Sequence, residues 1–151
     1  LLGIACRYDG GVKTHPAVVA LLAEMNQQIV PVCTEVLAEL GVPRLPMRFY
    51  GGDGAALLAE SPGVDLKNSA GRSCARRMIL GARRGVELVA AAGCRAALLK
   101  ERSPSCGLHH VYCGRRLVKG RGVFAALLSA GGVACFSEQE LDTFESHLIT
   151  H

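Results

Sequence analysis

Arg95-Ala96-Ala97-Leu98-Leu99, running straight into Lys100-Glu101-Arg102-Ser103-Pro104-Ser105-Cys106-Gly107, is the stretch on which the fold turns. A short apolar run with Gly93 behind it and Pro104 ahead predicts a buried strand, and Pro104 with Gly107 forces the segment after it into a loop. On the N-terminal side, Ser69 to Ala92 has helical periodicity broken only by Gly81 and Gly85. Its Ala and Arg content predicts a long helix that Gly93 stops. On the other side Tyr112 to Val118 predicts a hairpin turned at Gly114, Gly122 to Leu128 a helix and Val133 to Phe136 a strand. Ser137 followed by Glu140 makes a capping box for a last helix reaching Leu148.

Upstream, Thr14 is the predicted N-cap of a first helix carrying Pro16, Val18, Val19, Leu21, Leu22 and Met25. Gln28 to Cys33, QIVPVC, is short, apolar and β-branched, which predicts another buried strand. From Gly41 to Gly63 the Gly and Pro spacing predicts an irregular connection with a short strand near Met47 to Tyr50. Strands alternating with helices give an α/β fold of three layers: a mainly parallel, Rossmann-like sheet with helices on both faces, in one domain over residues 1–151. Ligands are expected beyond the carboxyl ends of such strands, which places Cys33 and Cys106 on the functional edge. The opening LLGIACRYDGG reads like the loop after a strand, so the first strand is expected upstream of Leu1.

Composition excludes several classes. Half of the 151 residues are hydrophobic and a fifth charged, so a disordered chain is disfavoured. The richest apolar run, Leu88 to Leu99, is broken by Arg95, which excludes a membrane span there. Leu1 to Cys6 lacks a preceding basic region, so the cytoplasm is the expected compartment. A net charge of +4 is mild for a dedicated nucleic-acid binder, and the chain has no Trp for base stacking. The positive charge is nonetheless clustered, at Arg72, Arg76, Arg77, Arg83 and Arg84 and again at Arg115, Arg116, Lys119 and Arg121.

Seven cysteines cannot all pair internally, and no C-x-x-C motif supports a zinc ribbon or a dithiol redox pair. Cys74, Cys94 and Cys135 sit among Ala, Leu, Val and Phe, as core residues do. Cys6, Cys33, Cys106 and Cys113 lie beside Gly, Pro or charged residues at element ends and are the ligand candidates. His109 and His110 read as exposed loop residues.

The loop Lys100 to Gly107 (KERSPSCG), the turn Arg7-Tyr8-Asp9-Gly10-Gly11, the run Pro31-Val32-Cys33-Thr34-Glu35-Val36, Gly120 to Leu128 and Ser137-Glu138 resemble, in order and spacing, the thiouracil desulfidase family, long catalogued as an uncharacterised single-domain bacterial family. The resemblance implies a 4Fe-4S cluster held by three cysteines, with one iron left to take sulfur from a thiolated pyrimidine. Matched by motif, Cys33 and Cys106 are two of the ligands. The third belongs to a position just before the Leu-Leu-Gly segment, which precedes Leu1, so the sequence is expected to start after it; the alternative is that Cys6 substitutes. Thr34 stands where the family usually has Pro.

The chemistry also follows from the residues. A soft thione sulfur suits an iron–sulfur centre better than a hard oxygen does, and replacing it requires water to attack the thiocarbonyl carbon with a base to take the proton. Glu35, two residues from Cys33, is the candidate base; its alternative role is a salt bridge to Arg44 or Arg102. Ser103 and Ser105 are candidate hydrogen-bond donors, with Asp9 and Lys100 as candidates for substrate binding and charge balance. A nucleotide or thiolated tRNA becomes the expected substrate form if the basic clusters border the site. Two other readings stay open: a zinc or iron–sulfur module for sensing without turnover, and a binding domain whose cysteines only pack.

Overall fold

Alternation along β1 (Met47–Tyr50) turns Met47 and Phe49 inward and leaves Arg48 and Tyr50 exposed, as a strand covered on one face requires. The computed structural model describes residues 1–25 and 27–150. β1 belongs to a four-stranded sheet of order β2-β1-β4-β5, in which β2 is Asp65–Asn68, β4 is His110–Cys113 and β5 is Arg116–Lys119. A separate two-stranded sheet pairs β3 (Ala96–Leu99) with β6 (Ala134–Ser137) in parallel, Leu99 lying opposite Ser137. The helices are α1 (Pro16–Glu24), α2 (Thr34–Leu37), α3 (Gly54–Leu58), α4 (Ala75–Ala91), α5 (Val123–Ala130) and α6 (Leu141–Thr150).

The fold is mixed α/β, but the expectation of a mainly parallel sheet is corrected. β1 pairs β4 in parallel, whereas β1 with β2 and β4 with β5 are antiparallel. The β4–β5 pair is antiparallel because its connection is short, Gly114 at φ +57° turning the chain back at once, whereas β2 returns beside β1 after the connection that carries α3 (Gly54–Leu58). Phe49, Leu66, Met78, Val111, Val123, Phe124 and Leu128 form the centre of the core. No helix among the described residues is long and apolar enough to cross a membrane.

Three local expectations are corrected. Gln28 to Cys33 forms no strand: Pro31 has no N–H to give a ladder, Ile29 is 43% exposed, and the run enters α2 as irregular chain. The first helix is capped by His15, whose Nδ1 accepts from the Val18 N–H at 3.4 Å, and not by Thr14. α4 begins at Ala75 and not at Ser69, because residues 69–74 spend their backbone groups on β2. The Cys74 N–H donates to the Leu66 carbonyl at 2.7 Å, and the Asn68 N–H donates to the Arg72 carbonyl at 3.0 Å.

Two glycines in α4 seat the element that carries the site. A Cβ on Gly81 would lie 2.4 Å from the Thr34 carbonyl oxygen and 2.6 Å from the Ala38 nitrogen, and one on Gly85 would lie 2.7 Å from Thr34 Cγ2. Four-residue spacing puts both on one face, so α2 rests its backbone directly on α4. Gly→Ala within a helix ordinarily gains about 1 kcal/mol. At Gly81 the sign should reverse, with Gly81→Ala losing about 1–3 kcal/mol to the backbone clash in urea unfolding. A gain in stability would show that α2 is not seated there.

Candidate functional site

The Cys106 loop takes its shape from the start of α5. Gly122 caps that helix without a side chain, so its first N–H groups need other acceptors. The loop supplies them: the Val123 N–H donates to the Pro104 carbonyl at 3.0 Å, Phe124 and Ala125 donate to the Ser105 carbonyl at 2.9 and 3.1 Å, and Gly122 donates to the Gly107 carbonyl at 2.8 Å. Glycine is required at Gly122, where a Cβ would stand 2.3 Å from the Ser105 carbonyl. Inside the loop, Ser103 Oγ accepts from the N–H groups of Ser105 and Cys106, both at 3.1 Å.

Ser105 is buried, and its hydroxyl makes a short hydrogen bond to Thr34 Oγ1, which ties the loop to α2 across 71 positions of sequence. The same hydroxyl lies 3.7 Å from Cys106 Sγ. Burial pushes the Cys106 thiol up to about 12; hydrogen bonds from Ser105 and Ser103 oppose the rise, and the charges of Glu35 and Cys33 add to it. Burial likewise raises the Cys33 thiol, against a backbone N–H from Val36, with Cys6 in hydrogen-bonding reach and Glu35 adding its charge. Cys6, Cys33, Cys106 and Glu35 are therefore electrostatic neighbours drawn from three segments.

Glu35 does form the ion pair with Arg44. Arg44 Nε and Nη2 stand 2.7 and 2.5 Å from Oε2, with the two side chains only 7% (Arg44) and 14% (Glu35) exposed. Oε1 accepts no hydrogen bond among the described residues, where no buried side-chain oxygen lacks a partner, so Oε1 is open to water. No three His, Cys, Asp or Glu side chains among the described residues are gathered to hold a single metal ion. A cluster asks for something else, one thiolate for each ligated iron, so its sulfurs stand farther apart than those sharing one ion.

The sequence profile of the 2-thiouracil desulfurase family matches residues 1–140. The chain belongs to this family. It is 32% identical to the uncharacterised protein YbbK of Bacillus subtilis strain 168 over 143 residues, covering 93% of this chain and 92% of YbbK. Among solved structures it is similar to the [4Fe-4S]-dependent thiouracil desulfidase TudS, with 32% identity and a TM-score of 0.82 over 99% of this chain and 93% of TudS.

Set against this desulfurase frame, the predicted residues divide. Cys33, Cys106, Cys6 and Glu35 are brought together, while Cys113 ends β4 beside Phe49. The position assigned to a third ligand before Leu1 lies outside the described residues. Ser103 and Ser105 stand behind Cys106: the thiol donates to Ser105 Oγ at 3.7 Å, and Ser103 Oγ accepts from the Cys106 N–H at 3.1 Å. Asp9 is occupied in its own turn, with Oδ2 2.7 Å from Arg7 Nη1 and Oδ1 accepting from the Gly11 N–H at 3.0 Å. Lys100 is paired with Glu138 Oε1 and donates to the Glu101 carbonyl at 3.2 Å. His109 is exposed, with Nε2 2.8 Å from Glu140 Oε2, whereas His110 is not a loop residue but opens β4 half-buried. Burial raises the Cys74 and Cys135 thiols, consistent with core positions.

Two buried carboxylates that sequence reasoning missed anchor the root of this loop. Glu101 Oε1 accepts from the N–H groups of Arg102, His109 and His110 at 3.2, 3.2 and 2.9 Å, and Glu138 Oε2 accepts from the Glu101 N–H at 2.7 Å. Both lie in segments that carry the family resemblance, Lys100 to Gly107 and Ser137-Glu138, but nothing in residue type or spacing gave them this role. Burial works to raise Glu138, but the Lys100 ammonium and the N–H groups of Glu101 and Glu138 outweigh it and hold the carboxyl below its ordinary value. A depressed folded-state value adds stability that is complete above about pH 5 and is lost as pH falls through that value. Glu138→Gln should therefore be less stable than wild type at pH 7, with the gap narrowing towards acid. Parallel melting curves across the acid range check this.

Proposed function

We propose that the chain is a [4Fe-4S]-dependent desulfidase of cytoplasmic thiopyrimidines, acting as a single domain and converting a thiocarbonyl and water into a carbonyl and hydrogen sulfide. The observation that carries the reading is Glu35: one carboxylate oxygen is clamped and the other open to water, beside the thiols of Cys33, Cys6 and Cys106. Soft sulfur donors fit an iron–sulfur centre, and Cys33 and Cys106 would hold it, with Cys6 the alternative for the third ligand. A bound cluster supplies a Lewis-acidic iron for the thione sulfur.

The remaining work falls to the chain. Glu35 Oε1 takes one proton from the water as its oxygen adds to the ring carbon and passes it to the sulfur; the second proton leaves the new hydroxyl by the same carboxylate as the carbonyl forms, the C–S bond breaks and hydrogen sulfide departs. Ser103 and Ser105 hydrogen-bond the Cys106 sulfur and set its basicity and orientation, acting through that thiolate rather than on the ring. Asp9 and Lys100 serve by fixing the Arg7–Gly11 turn and the root of the Cys106 loop. Because both cluster-side thiols are raised by burial, loading releases protons and is favoured by higher pH. A cleft of about 590 Å³ that meets the site at Arg44 and carries Arg72 and Arg77 beyond it lends support to substrates with an anionic extension, a nucleotide or thiolated tRNA, alongside thiouracil and thiouridine. The seven thiols suit a reducing compartment.

The test is anaerobic purification followed by iron and acid-labile sulfide analysis, a visible spectrum and thiouracil turnover. Cluster stoichiometry with sulfide release supports the reading. Iron without turnover would favour a sensing module, and no iron after reconstitution would leave a binding domain.

A further inference from the structure

We propose that Arg44 is a positioning residue of the site: it clamps one oxygen of Glu35 to the Cys6 turn and so aims the other at the cysteines. This rests on the reading of Glu35 as the base. Arg44 joins three segments that share no secondary structure. Its Nε and Nη2 hold Glu35 Oε2, Nη2 also donates to the Cys6 carbonyl at 2.9 Å, and Nη1 donates to the Gly41 carbonyl at 2.9 Å. Its own backbone N–H donates to the Tyr8 carbonyl at 2.6 Å. With two N–H groups of one planar guanidinium on Oε2, the carboxylate cannot rotate without losing both, and Oε1 keeps one direction. Lysine offers no such fork: an ammonium that reached Oε2 would not hold the Cys6 and Gly41 carbonyls in the same plane. The side chain also lines the cleft shared with Arg72 and Arg77, so truncating it opens a space that a small planar cation can enter from solvent.

The test uses Arg44→Ala and Arg44→Lys, prepared anaerobically beside wild type and Glu35→Gln. Arg44→Ala is expected to lose about 10- to 100-fold in kcat on thiouracil, with KM nearly unchanged and iron and sulfide at wild-type levels. Millimolar guanidinium should restore a large part of that rate, whereas urea or potassium chloride at equal concentration should not. Arg44→Lys, which keeps the charge and most of the volume, is expected to fold and to show a similar loss without rescue. A second readout needs no cluster. In the iron-free protein, Cys6 should be alkylated several-fold faster in Arg44→Ala than in wild type, and guanidinium should slow it again. Wild-type kcat in both Arg44 variants, a loss that only tracks missing iron, or unchanged Cys6 alkylation overturns the proposal. If Glu35→Gln itself turns over normally, it is the assignment of the base that has failed; if Glu35→Gln is inactive while the Arg44 variants are not, it is the clamp.

Discussion

Glu35→Gln is expected to lower thiouracil turnover about 10²- to 10⁴-fold, the usual contribution of a positioned general base, while iron and sulfide contents stay at wild-type levels. The substitution is nearly isosteric, and the amide oxygen can still accept from Arg44, so the pair that fixes α2 to the Cys6 turn survives. What is lost is the ability of the second oxygen to take a proton from water. Steady-state rates under anaerobic conditions, normalised to cluster content, separate this from a folding defect. A variant that kept more than a tenth of the wild-type rate would leave Glu35 as a salt-bridge partner and nothing more.

Cys106→Ser is expected to bring iron content to background and to abolish turnover, and Cys33→Ser to do the same. A serine oxygen is a harder and far less acidic ligand than a thiol, and iron–sulfur clusters are held by thiolates. The loop itself should survive the change, since its carbonyl bonds to α5 and the Ser103 bonds to the backbone do not involve the sulfur. Far-ultraviolet circular dichroism should therefore match wild type while the visible absorption disappears. Cys113→Ser, by contrast, should retain iron. Equal loss in all three would mean that the effect is one of stability, and retention in Cys106→Ser would remove that residue from the ligand set.

The parts of the fold legible in the sequence were those where a local rule and the tertiary demand agree. Ala96–Leu99 is a strand, its apolar run bounded by Gly93 and the Pro104 loop; it is half-buried, with only Leu99 inside, and it pairs in parallel with the run read around Val133 to Phe136. The hairpin at Gly114 was equally local; the Ser137 N–H does donate to Glu140 Oε2 at 2.9 Å, but α6 starts only at Leu141, so this pair shapes the turn before the helix and the capping-box reading is corrected. β2 escaped notice because Asp65, Lys67 and Asn68 are poor strand formers, and only its pairing with β1 makes it one. α3 was hidden in a Gly-rich connection, although Asp53 followed by Gly-Ala-Ala was a cap signal, and its Oδ1 accepts from the Ala56 N–H at 3.0 Å.

At the site, the cysteines and Glu35 were readable from residue type and motif spacing, whereas their supports were not. The Thr34 hydroxyl finds Ser105, and Arg44 finds the Cys6 carbonyl, through contacts between segments far apart in sequence. No periodicity encodes such meetings. Thr34 shows this most clearly: it stands where the family usually has Pro, and its side chain bonds the loop that carries Cys106.

The docking of the Cys106 loop on α5 bears on how the protein matures. The backbone hydrogen bonds of residues 103–107 stay within residues 103–125, so this half of the site closes over a short length of chain. The other half arrives only when Thr34 meets Ser105 across 71 positions. Closing the longer loop costs more chain entropy, so assembly is expected to be sequential, with the Cys106 seat formed early and Cys33 delivered last. Pulse-labelled hydrogen exchange should show the amides of Phe124 and Ala125 protected before that of Leu37, and simultaneous protection would contradict the order. A nascent chain would then present one sulfur at a time to incoming iron, with the long closure as the step that completes the pocket.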